Sequence, residues 1–366
     1  MSLRCTLLPI AASLAIPVAA IAGSDATTGT DGWMPFDTGM DGSVNAVALH
    51  RGQLYAGGGF QTASGVPAAR IARWNGSQWE PLPGGGLEGG GIFHMVSFRD
   101  WLVVAGGFDT AGGVPADGLA RWDGAQWSAI PGSLFLAVDA LAVHGDQLVV
   151  AGASLASGAT ENIARWNGAT WSALGSGLED GVDALGVHAG TLYAASHLPW
   201  PSLDDGIWSW NGSTWTVFED ELDERVYAFG SWRGRLIAAG RFQSIGGIAA
   251  NRIAVRDGAT WVPLGSGLGT GLQNQRVEAL GEYSGALWAA GFFESAGGAP
   301  ARHVARWDGA AWSPVGSGTD WSASAIATWG GALVLAGGFE TVDDVQVNYI
   351  ARWQADPVFG NGFEQE

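Results

Sequence analysis

Two tryptophans and four carboxylates are the residues best suited to ligand chemistry. Trp200, Asp204 and Asp205 share one short stretch, Glu219 and Asp220 follow in an acidic run, and Trp321 stands further on. An indole beside carboxylates can stack on a sugar ring while the acids accept hydrogen bonds from its hydroxyls. Two converging carboxylates can instead serve as general acid and base, at separations of about 5–10 Å. Clustered carboxylates can also bind Ca2+, but the run Glu219, Asp220, Glu221, Asp223, Glu224 lacks EF-hand spacing.

Other chemistries are excluded. All 17 basic residues are arginine, which removes Schiff-base and P-loop lysines. No HExxH, His-x-His or paired-cysteine pattern is present, so no metal site or cofactor is expected. A net charge of -18 opposes binding to nucleic acid.

The elements that carry these residues are set by a repeat. Ile71-Ala72-Arg73-Trp74-Asn75-Gly76 recurs as LARWDG at 119, IARWNG at 163, IWSWNG at 207, IAVRDG at 253, VARWDG at 304 and IARWQA at 350. These seven copies are spaced by about 46 residues. Each unit holds four strand-length segments, in the first copy 44–49 (A), 54–58 (B), 71–74 (C) and 79–82 (D). Asn-Gly or Asp-Gly separates C from D in six copies and suits a tight turn. Four antiparallel strands repeated seven times predict an all-β, seven-bladed β-propeller. The last copy lacks segment D, and Trp33-Met34-Pro35-Phe36 supplies one at the other end of the chain. An N-terminal strand completing the C-terminal blade would close the ring and remove open edges.

The double glycine ending segment B (Gly106-Gly107), the Trp122-Asp123 step, Trp127 and Ile130 resemble kelch repeats of the galactose-oxidase type, over about residues 33–353. The resemblance implies the propeller fold. Galactose oxidase uses a copper-linked Tyr–Cys cofactor, and the single cysteine here, Cys5, lies in the leader described below, so that activity is not implied. Ser202 to Gly206 partly resembles the Asp-box of sialidases, but it occurs once and precedes segment C instead of joining C to D.

The repeat also separates packing from site chemistry, because a residue that recurs at one position serves the fold. Of 20 tryptophans, 13 belong to segments C and D, and only Trp200 and Trp321 stand in loops without a repeat role. Arg73, Arg121, Arg165, Arg306 and Arg352 share one position and are expected to stack on rings or pair with acids. His50, His144 and His188 share a slot with Phe98, Trp232, Tyr283 and Trp329, which predicts hairpin packing. Gly-Ser-Gly at 175, 265 and 316 follows segment D each time and is a turn.

A-B and C-D turns must share one face, and the longer B-C and D-A loops the other. Long loops on a rigid scaffold carry binding residues. The loop face is therefore the expected functional face, with Trp200, Asp204, Asp205, Glu219, Asp220 and Trp321 as binding candidates and no catalytic set.

The first residues combine one arginine, an apolar run and Ala20-Ile21-Ala22, the form of a secretory signal peptide. The expected organisation is a signal peptide over 1–22, a linker over 23–32, one propeller over 33–355 and a tail over 356–366 that is similar to Phe-x-x-Gly-Phe-Glu ends of exported bacterial proteins. No other stretch is long and apolar enough for a membrane helix. The expectation is a secreted or periplasmic monomer that binds a glycan or protein without catalysis. The alternative is a glycan-acting hydrolase or lyase using loop carboxylates near the central channel.

Overall fold

The computed structural model describes residues 32–132, 137–152, 162–179, 181–197, 205–269 and 274–354. All their elements are strands, arranged as a seven-bladed propeller of four-stranded antiparallel blades with small two-stranded ribbons added. In blade one, strands A to D are Val44–His50, Gln53–Gly58, Ile71–Trp74 and Trp79–Pro81. Strand A is innermost, and the A strands touch one another in a closed cycle, that of blade seven meeting that of blade one.

Gly32–Pro35 pairs antiparallel with strand C of blade seven, Ile350–Gln354, setting Trp33 opposite Trp353. The expected closure is thus observed. The strand brings its own core: Trp33 and Phe36 are buried, and Phe36 lies 4.9 Å from Trp74, across the joint to blade one.

The core is divided, not central. Among the described residues seven apolar clusters are present, and each straddles one joint between neighbouring blades. Trp74 faces Trp79 across strands C and D, and the same register recurs at 122/127, 166/171, 210/215, 307/312 and 353/33. Such pairs stabilise a sheet beyond the area they bury. In blade five the strand C ring is replaced by Arg256, whose guanidinium lies 5.3 Å from the Trp261 ring. Of the recurring arginines, Arg73 pairs with Glu80 at 3.1 Å and Arg121 lies 4.4 Å over Trp101, as their recurrence predicts.

Near the axis there is no room for large residues on both sides of a joint. A Cβ on Gly186 would stand 2.3 Å from the Cβ of Phe229 in the next blade. Glycine here makes space for the facing ring.

Among the described residues, several B-C connections carry pairing of their own. Thr62–Ala63 and Val66–Pro67 form a ribbon in blade one, and similar ribbons occur in blades five, six and seven. The acidic run also differs from a loop, because strand D of blade four runs over Trp215–Leu222 and takes in Glu219, Asp220 and Glu221.

Candidate functional site

The loop face is fastened by a device repeated round the ring. The residue before strand C adopts positive φ: Arg70, Gly118, Asn162, Arg252, His303 and Tyr349. Its carbonyl accepts from the glycine ending strand B, as Gly58 N donates to Arg70 O at 3.0 Å and Gly291 N to His303 O at 3.0 Å. In three of them the side chain then reaches the following blade. Arg70 donates to the carbonyls of Leu87 and Gly89, Asn162 to those of Leu178 and Glu179, and Arg252 to those of Leu268 and Gln275. A second device fixes the ribbons. Asp41 accepts from the backbone N–H groups of Gln61 and Thr62, Asp223 from those of Gln243 and Ser244, and Asp320 from those of Glu340 and Thr341.

Three places depart from the tie of the first device: Gly118 has no side chain, the Tyr349 hydroxyl donates to Glu340 of its own blade, and His303 differs again. His303 has the same backbone but does not tie down the next loop. Its ring stacks on Phe292 at 5.2 Å and 16°, and Phe292 lies 6.1 Å from Trp321. Arg276 lies 5.8 Å over the same Phe292 ring. Together Phe292, Glu294, Arg302, His303, Asp320 and Trp321 line a cleft of about 280 Å3 between blades six and seven.

The cleft is rigid below and open above. His303 is buried, and its Nδ1 makes no hydrogen bond to any described group. Burial pushes its pKa below the usual histidine value, against the opposing pull of Glu294 and Asp320, so the ring is neutral at pH 7. Thr319 is buried and donates its hydroxyl to Trp321 O at 2.7 Å. Trp321 is 59% exposed, so its backbone is fixed while its indole faces solvent. An exposed ring on a tethered backbone can stack on a flat apolar surface while Arg302, Glu294 and Asp320 at its rim hydrogen-bond the polar groups around it.

The other expected site residues fall elsewhere. Trp200 and Asp204 lie outside the described residues, and Asp205 is placed only as the first residue of strand C of blade four. Glu219 and Asp220 lie on strand D of the same blade, its outer edge. Glu219 is held 3.7 Å from Arg256 and accepts from Glu221 N, whereas Asp220 is exposed. Trp321 and these acids belong to separate blades and are not brought together. Phe292 and His303 were not singled out from sequence. Their signal was departure from the repeat: Phe292 takes the place of Gly59, Gly107 and Gly338, and His303 that of Arg70 and Arg252.

No family model and no curated protein matches the chain. Solved structures match its fold. YCF48 from Cyanidioschyzon merolae superposes with a TM-score of 0.53 at 14% identity, covering 88% of this chain and 98% of that one. The WD40 β-propeller domain of Doa1 gives 0.57 at 11% identity, covering 90% and 99%. The computationally designed Ika8 protein gives 0.52 at 12% identity, covering 86% and 97%. At these identities the likeness concerns the fold, and it defines the chain as a β-propeller.

Proposed function

We propose that the chain is an exported, monomeric, non-catalytic β-propeller that binds a glycan or protein on its loop face through the Trp321 cleft. The observation that carries this reading is the exposed indole of Trp321 above the Phe292–His303 stack, in a cleft with a polar rim. Of the two chemistries, a saccharide suits it better, since a sugar presents one flat apolar face and a ring of hydroxyls. The hydrolytic alternative draws less support from this cleft, where Asp320 already uses Oδ1 to accept two backbone N–H groups.

The test is a glycan array probed with the purified chain and with Trp321→Ala. The expected result is binding to at least one glycan, weakened about tenfold or more in the variant, with Tm unchanged because the ring is exposed. No glycan bound, or equal binding by the variant, would overturn the saccharide reading.

A further inference from the structure

The face opposite the loops carries a second built feature at the joint of blades four and five. Each A-B turn has a middle residue whose carbonyl points to the preceding blade, and in six of the seven joints that carbonyl accepts a hydrogen bond from it. Arg51 donates to Asp100 O, Arg99 to Asp146 O, Trp232 to Gly285 O, Tyr283 to Gly331 O and Trp329 to Gly52 O, while a His144 ring nitrogen meets Gly190 O at 2.9 Å. The seventh carbonyl, that of Gly234, receives none from a described side chain. His188, which would reach it, has no hydrogen-bond partner among the described residues.

Three joints also show what fills this groove. Arg51, Arg99 and Arg233 project from the A-B turn of one blade towards the next. Arg51 donates to Asp123 O at 3.1 Å and Arg233 to Asp308 O at 3.1 Å, each carbonyl opening a C-D turn. Arg99 and Arg233 lie 5.1 and 4.5 Å over the rings of Phe98 and Trp232, in the slot that His188 occupies in blade four. Blade four has Ala189 at the arginine position, with φ of 48° against 50°, 53° and 49° for the arginines. The same groove is here a cleft of about 310 Å3, lined by His188, Tyr193, Gly234, Arg235, Arg256 and Asp257 among others.

Asp257 departs from its repeat as well. Its equivalents Asn75, Asp123, Asn167, Asn211 and Asp308 each accept two N–H groups of their own C-D turn. Asp257 caps no turn. Gly258 has φ of 59°, where the matching glycines lie between 94° and 114°. Its carboxylate is left with Arg235 at 3.9 Å, while Arg256 is held 3.7 Å from Glu219. Each lining cation thus has an acid of its own. The Asp257 carbonyl already accepts from the Thr260 hydroxyl at 3.3 Å, and the groove still offers the Gly234 carbonyl, the Asp257 carboxylate and a flat ring.

We infer that this groove receives the guanidinium of an arginine side chain from a partner protein, which completes at the fourth joint the contact the chain makes for itself with Arg51, Arg99 and Arg233. A planar fork of donors fits a carbonyl and a carboxylate together as an ammonium does not. The net charge of -18 favours a basic partner. The site is independent of the Trp321 cleft and lies on the other face.

The test titrates the whole chain with capped Gly-Arg-Gly, Gly-Lys-Gly and Gly-Glu-Gly peptides and with free L-arginine, reading the His188 ring resonances. The expected result is saturable binding of the arginine peptide, with the lysine peptide at least tenfold weaker. Ala189→Arg should raise Tm and abolish binding, because the groove is then filled from within at an unchanged backbone angle. Asp257→Asn removes the carboxylate charge and should weaken binding several-fold, which serves if the first variant does not fold. No saturable arginine binding, tighter binding of the glutamate peptide or of free arginine, or undiminished binding in a folded variant would overturn the proposal.

Discussion

At one position of strand A six blades carry alanine, namely Ala46, Ala140, Ala184, Ala228, Ala279 and Ala325, and blade two carries His94. Part of its surface remains open, yet the protein crowding the ring lowers its pKa to about 4. The unfolded chain holds this proton up to about pH 6.5. Between those values the unfolded state binds more protons, so the stability from neutral His94 is complete above about pH 6.5 and is lost as pH falls towards 4. His94→Ala, the residue of the other blades, should flatten that decline. Tm measured at pH 7.5 and 5 should differ less in the variant; an equal difference would assign the acid sensitivity elsewhere. His303 shows the limit of reading residues from sequence. It was visible as a residue before strand C, but its orphaned nitrogen and its stack on Phe292 are properties of the assembled joint.

At the scale of elements, the capping aspartates do more than their place in the sequence suggests. Burial raises the pKa of Asp41, but the N–H groups of Thr62 and Gln61 together hold it below the usual carboxylate value. The stability it adds is present above the ordinary aspartate range and lost on acidification through the depressed value. Asp41→Ala should cost about 1–2 kcal/mol and speed amide exchange in the ribbon at residues 62–67, with Asp41→Asn milder because it keeps an acceptor oxygen. Unchanged exchange would show that the ribbon holds itself. The strands and turns were legible in the sequence because Asn-Gly and paired tryptophans recur with every copy. The acidic run was not, because Glu219 to Glu221 continue strand D beyond the length seen in the other blades, alongside an early start of strand C at Asp205. Nor was the partition between packing arginines and groove-spanning ones, since Arg51, Arg99 and Arg233 occupy a position where other blades have glycine, alanine or serine.

At the scale of the molecule, stability resides in seven joints closed by one strand. A chain beginning at residue 42 loses Trp33, Phe36 and Met40, all buried. At about 2–5 kcal/mol for each large buried side chain, the loss rivals the whole stability of an ordinary domain. That chain should melt far below one beginning at residue 23, in a single transition and not as a frayed terminus. Equal melting temperatures would mean that blade seven does not need the strand. The closing pair has a consequence in time. Gly32–Pro35 is made before its partner Ile350–Gln354, and blades one to six lie between them. Ring closure must wait until strand C of blade seven has been made. Until then Trp33, whose ring packs on Trp288 and Trp353, has no blade to enter, so the growing chain stays in its pre-closure state until seven blades have been made.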